Sequence, residues 1–560
     1  MAPAIPNPAS PTLTPTTASP SAEGRLLPER SLIDCLHDLR SAIFRRRPIL
    51  GEIKLKHGWK TLHRYSQDFL DVNPSPHLDA RKQELIAVAE ELLTERLGAK
   101  VAGEVAAQLE RCALVSTTDH HCIIHHPFWV NANIISAIPY TGKTEEELKY
   151  LVVFSFAGVS LNNASGYPRG IAFHGGINGS GNVVRLPILP DKHKMSTVYA
   201  TRAFTREDLD RAQRALQKKI QSGEVVEQRG SGVASLIEEY LGAGDVLQGK
   251  DLCSQITTVN YRLWPKLFHA SKTTQKEAAA TTRNIPDLIY LEIETLVREL
   301  LLRHHLKNAD SMIGKLLFNT QWRELALEHF DGIHGAFHRD SASGTYFFWG
   351  VDPAGHRVRL HIEGEELVSC DGAIRVALTP ESIAEALITR KIFPSMLLSY
   401  LMVSLYYGFK CLGGFCQVHD LTMTKKAWQT ILRRINEHAE ADAVEPVQTK
   451  ELGGDGMVLS YFETKQGNLI PATGIDMSLD DIDTSFGSFV DMSRKLALEE
   501  AMQPMLPEMY TVLYTNDERD PMLASIKPER IMEVTGLQEK LHREIVRREI
   551  ASSGLERLTA

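Results

Sequence analysis

Short runs of strand length are scattered irregularly among long stretches of helical period, and this ordering does most to limit what the chain can become. From 25 to 111 the pattern is helical. Leu85, Val88, Leu92, Leu93 and Leu97 recur at helical spacing, Gly98 offers a stop, and 101–109 resumes the period. Leu114-Val115 is a short apolar pair that can feed a strand, and 131–138 reads as a helix ended by Pro139. Thr144 with Glu145 to Glu147 looks like a capped helix start. The runs 151–156, 171–173 and 183–188 are strand-like. Helices are expected at 206–222, 233–241, 253–268 and 286–306. A second strand region, 345–350 and 358–362, brackets Asp352-Pro353-Ala354-Gly355, which predicts a hairpin. Helical segments at 380–389, 395–408 and 425–438, a strand at 457–462 and a helical remainder follow. Strands and helices do not alternate regularly, and no solenoid period is present. The class is therefore α+β, helix-dominant, with two small strand regions (about 150–190 and 342–370) packed among helices.

At 560 residues the chain is long enough for several domains. We divide it into a Pro/Ser/Thr-rich tail at 1–24, an N-terminal α+β domain at 25–245 and a mostly helical domain at 246–560. The tail has no Lys or Arg before Arg25, so it resembles neither a secretory signal nor a presequence. A formal charge of −8 gives no electrostatic reason to expect nucleic acid. The basic run Arg45-Arg46-Arg47 sits before Pro48 at what reads as a helix end, where cations are favoured. Seven irregularly spaced cysteines argue against a disulfide framework and for a reducing compartment. The apolar stretch 395–408 is shorter than the roughly twenty residues a membrane span needs, and reads as a helix buried on all sides. A cytoplasmic protein, with no membrane or nucleic-acid partner, is expected.

The densest chemistry lies at Thr117-Thr118-Asp119-His120-His121-Cys122-Ile123-Ile124-His125-His126-Pro127. No other window holds so many groups able to bind metals or move protons near neutral pH. His121 and His125 stand four apart, which on a helix places both rings on one face. Pro127 and the isoleucines favour a loop after a short strand instead, where Asp119 and one or two histidines converge. Asp119-His120-His121 resembles the DHH phosphoesterase signature over three residues, but that family needs aspartates on earlier strands and 25–111 is helical. Further on, Asn162, Asn163, Arg169 and His174 can present amides, a guanidinium and an imidazole to an anionic substrate. The Gly-rich stretch 175–182 leads into a strand-like run, so it reads as a hairpin turn and not a phosphate loop. His334 and His338 are four apart beside Arg339-Asp340, and Cys411 to Asp420 forms a further cluster around Gly413-Gly414.

The expectation is a soluble enzyme acting on a small polar or anionic metabolite, a hydrolase or lyase first and an oxidoreductase less so. His120, His121 and His174 are the candidate catalytic groups. Asp119, His121 and His125 are candidate ligands for a divalent zinc, iron or manganese ion. Arg169, Asn162, Asn163 and His419 are candidate substrate-binding residues. The alternatives are a metal-free group transferase with a histidine base, and a non-catalytic binding or assembly protein.

Overall fold

The computed structural model describes residues 31–144, 147–176, 183–268, 285–341, 343–463, 467–479 and 484–543. The tail expected at 1–24, most of the glycine-rich turn (177–182) and Glu145-Glu146 of the expected helix start lie outside the described residues.

The strands begin with β1 (Leu114–Ser116) and β2 (Tyr150–Ser155). The hairpin of β3 (Gly170–His174) and β4 (Val183–Pro187) precedes β5 (Asp287–Glu292). A short pair, β6 (Phe337–His338) and β7 (Ser343–Gly344), leads to β8 (Phe348–Val351), β9 (Arg357–Glu363), β10 (Glu366–Ser369), β11 (Arg375–Ala377) and β12 (Ile392–Pro394). β13 (Lys410–Leu412), β14 (Tyr461–Glu463) and β15 (Leu469–Pro471) complete the set.

At the centre, β13, β1, β2 and β5 lie side by side in that order, and every pair is parallel. Alternate residues point to opposite faces of a strand. Leu114, Leu151, Val153, Leu288, Tyr290 and Leu412 accordingly pack into one apolar core, and Val115, Val152, Phe154, Ile289, Leu291 and Cys411 into another. The helices Lys82–Leu97 and Ala99–Arg111, separated by Gly98 at φ 85°, cover the second face. The helices Pro127–Ala137 and Leu252–Leu263 cover the first. A sheet buried on both sides has no polar face, so its strands are continuous apolar runs. That corrects one expectation: 286–306 was expected to be wholly helical, but Asp287–Glu292 is strand β5 and the helix begins at Ile293. A short apolar run bounded by Pro286 carries no period to separate the two conformations.

A second sheet, antiparallel, runs β11-β10-β9-β8-β12. Its β8–β9 hairpin is the expected one. Asp352 Oδ1 accepts from the backbone N–H of Ala354 at 2.9 Å and of His356 at 2.8 Å, which closes the turn. The architecture is α+β and helix-dominant, with several small sheets among helices. The central sheet takes β1 and β2 from before residue 245 and β5 and β13 from after it, so the two halves share one sheet. The stretch 395–408 forms the helix Met396–Tyr400, which continues as a π-helical turn, Leu401–Tyr406, with most of its side chains buried. Among the described residues, no helix is long and apolar enough to cross a membrane.

Candidate functional site

All four parallel strands end on one side of the sheet, and the segments that follow them line one cavity of about 450 Å³. Thr117, Thr118 and His120 follow β1, Phe156 and Gly158 follow β2, Glu294 follows β5, and Gly414 to Gln417 follow β13. Strand β2 lies to one side of β1 and β13 to the other, so connections diverge there in opposite directions. Such a switch point leaves a crevice beyond the carboxyl ends of the strands, where open parallel sheets bind ligands. The antiparallel sheet forms the facing wall through Trp349, Arg357 and Phe393.

Three carboxyl groups line this cavity. Glu294 accepts from Ala157 N at 2.9 Å and Gly158 N at 2.7 Å, yet burial pushes its pKa up to about 7. Asp455 is raised to about 8, first by burial and then by the charges of Asp119 and Glu508. It is therefore largely protonated at neutral pH. Asp420, on the first turn of the helix Gln417–Arg434, accepts from His334 Nδ1 at 2.7 Å. That bond puts the ring proton on Nδ1 and leaves the lone pair on Nε2, an arrangement suited to a general base. The Arg357 guanidinium lies 4.3 Å over the Trp349 ring and donates to Gly158 O at 3.2 Å. Five buried polar atoms of residues in this wall have no hydrogen-bond partner among the described residues: Trp129 Nε1, Asn163 Oδ1, Gln417 Oε1, Asp420 Oδ1 and Asp455 Oδ1. Buried polar atoms are rarely left so, and a cluster of them facing a cavity points to a ligand.

Gly414 keeps this geometry open. A Cβ there would stand 2.3 Å from Asp455 Oδ2. Gly414→Ala is therefore expected to displace the Asp455 carboxyl, costing about 1–3 kcal/mol of overpacking, measured by urea unfolding. It should also weaken any ligand that the parent cavity binds.

The histidine stretch is divided among separate environments. His120 lines the cavity. Its Nδ1–H donates to Ser165 O at 2.8 Å, and its ring lies 5.1 Å from Trp129. Asn163 lines it too, whereas Asn162 is exposed. Asp119 is fully buried beneath the cavity, where its carboxylate accepts from Tyr290, Thr118 and, at 2.7 Å, Asn133. Burial raises its pKa to about 6. His125 packs against the backbone of Tyr167 and Gly170, and burial lowers its pKa to about 4. His174 and His126 line a different cavity. Arg169 pairs with Asp191 and donates to Leu189 O at 2.9 Å, a loop clamp outside both cavities. His419 is partly buried with Nδ1 unpartnered, also outside both.

Among the described residues, one trio of potential metal ligands has its donor atoms within 4.8 Å of one another: His121, Cys253 and Glu292. It differs from the Asp119, His121 and His125 set expected from spacing. The fit to a metal is poor on chemical grounds. His121 Nδ1 accepts from Ser155 Oγ at 2.7 Å and Nε2 donates to Cys253 O at 3.0 Å. Both Glu292 oxygens accept from Arg96. Burial raises the Cys253 thiol well above its usual range, away from the thiolate that a metal requires. A metal entering here would have to displace a buried guanidinium and two hydrogen bonds.

No protein-family model matches the chain, and no curated protein matches it in sequence. The cavity beyond the parallel strands is thus its most informative feature. Glu294, Asp455, Arg357 and the His334–Asp420 pair are the functional candidates that sequence reasoning missed or set aside. The signals available for them were slight: Glu294 just after an apolar run, Asp455 between Gly454 and Gly456, and Asp420 among the Cys411–Asp420 residues.

Proposed function

We propose that the protein is an enzyme that moves protons on a small polar or anionic metabolite bound in the cavity beyond the parallel strands. The observation that carries this is a buried carboxylic acid and an oriented imidazole in one cavity wall. Asp455 keeps its proton at neutral pH, while His334 is oriented by its bond to Asp420, with Nε2 left for the substrate. A carboxylic acid and an oriented imidazole facing one space can divide into acid and base. His334 then removes a proton and Asp455 delivers one, the balance that a hydrolase or lyase needs. Arg357, braced on Trp349, holds the anionic part of the substrate, and its planar fork suits a carboxylate or phosphate. His120 supplies a second imidazole beside the same space. The seven cysteines, all free, favour a reducing cytoplasmic setting.

The test is conversion of a cell-free metabolite extract followed by mass spectrometry, with the parent and a His334→Ala/Asp455→Asn variant run in parallel. A metabolite consumed by the parent and spared by the folded variant supports the proposal. Identical profiles for the two would overturn it.

A further inference from the structure

We infer that the second cavity, behind Phe128, binds a small organic ammonium ion with an apolar body. It encloses about 300 Å³, and Phe128 lines both it and the first cavity. Its most telling group is His174, whose side chain is 5% exposed. His174 Nδ1 donates to Asp476 Oδ2 at 2.6 Å, and its ring stacks on Phe462 with centroids 4.9 Å apart. Asp476 is in turn fixed by Arg229 at 2.6 Å and by the Thr473 hydroxyl at 2.7 Å. The ring is thus held in one orientation, and no described residue engages its Nε2.

Two carboxyl groups line the same cavity. The Glu508 carboxyl makes no hydrogen bond or ion pair with a described residue, and burial pushes its pKa up to about 7. Glu529 Oε2 is buried and unpartnered. Phe128, Pro471, Pro504 and Met505 supply flat apolar wall between them. An unmet buried acceptor costs on the order of 1–3 kcal/mol. A ligand carrying N–H donors and positive charge satisfies them, and its apolar body fills the rest. A single metal ion fits less well, because the ligand atoms of His174, Glu508 and Glu529 do not all lie within 4.8 Å of one another. Arg185, over the Tyr167 ring at 5.5 Å, is the one Lys or Arg of this wall. It makes a carboxylate the rival occupant. The inference is independent of the reaction proposed at the first cavity.

Three probes that share a phenylethyl body decide it: phenethylamine as its ammonium ion, 2-phenylethanol and 3-phenylpropionate, titrated calorimetrically into the full chain. Phenethylamine is expected to bind at least about tenfold tighter than 2-phenylethanol, the worth of one charge-assisted hydrogen bond. Glu508→Gln should remove that preference while leaving the alcohol's affinity unchanged. Glu529→Gln provides the same comparison should the first variant fail to fold. Equal affinities, tighter binding of the carboxylate, or no binding of any probe would overturn the inference.

Discussion

Asp455→Asn is expected to slow turnover by orders of magnitude and, at about pH 8, to make the protein more stable than the parent. The two effects share one cause. Asp455 sits in a buried wall beside Asp119 and Glu508, and its pKa rises from 3.8 to about 8. A carboxyl whose folded pKa lies above its unfolded one stabilises the native state fully below the unfolded pKa. That contribution is lost as pH rises through the folded value. Asparagine is never ionised, so it escapes this loss. The gain should be on the order of 5 kcal/mol near pH 8 and should vanish below about pH 4. Turnover of the substrate found in the extract assay should fall by about 10²- to 10⁴-fold, the usual worth of a positioned acid. Thermal unfolding of parent and variant between pH 4 and 9 checks the first part. If the two curves stay parallel across that range, Asp455 does not titrate as the structure indicates. A site group that costs stability to keep is what an active centre requires.

Arg96→Ala should produce the largest loss of stability of any single change named here. Arg96 closes the helix Lys82–Leu97 and grips Glu292, the last residue of β5, with both side chains 2% exposed. Arg96 depresses the Glu292 pKa to about 2 against the opposing effect of burial. Removing the guanidinium leaves a buried carboxylate without its counter-charge, which costs about 3–5 kcal/mol. Arg96→Met/Glu292→Leu, which removes both charges and keeps apolar volume, should recover most of that. Urea unfolding of the three proteins measures both values, and a double variant as unstable as the single one would count against the account. The pair also gives an acid limb to the stability profile. Because Glu292 is depressed, its contribution is present above about pH 4.5 and fades as pH falls toward 2.

Most elements followed from period and punctuation. Gly98 divided two helices where the apolar spacing broke, and Asp352 closed the β8–β9 hairpin because its side chain can satisfy two turn N–H groups. β5 was hidden because a strand covered on both faces has the same apolar texture as a buried helix. The histidine stretch did mark the segment after β1, and His120 lines the cavity there. Its neighbours were misleading for a physical reason. Four consecutive or near-consecutive rings must diverge, so His121, His125 and His126 went to a buried polar knot, a backbone groove and the second cavity. The other ionisable groups that line the cavity come from residues 294, 334, 357, 420 and 455. Only tertiary pairing brings them together, and no local spacing encodes it.

The place of β13 beside β1 also sets an order of events during synthesis. Ser116 pairs with Leu412, so one side of the first strand stays open until the last strand of the sheet has left the ribosome. At about 5–20 residues per second, the roughly 300 intervening residues take about 15 to 60 seconds. For that time the nascent chain carries an uncovered apolar strand edge, the kind of surface that pairs with the wrong neighbour. The cavity wall after β13 is likewise missing until then, so neither half of the chain can assemble this site while the other is still being made.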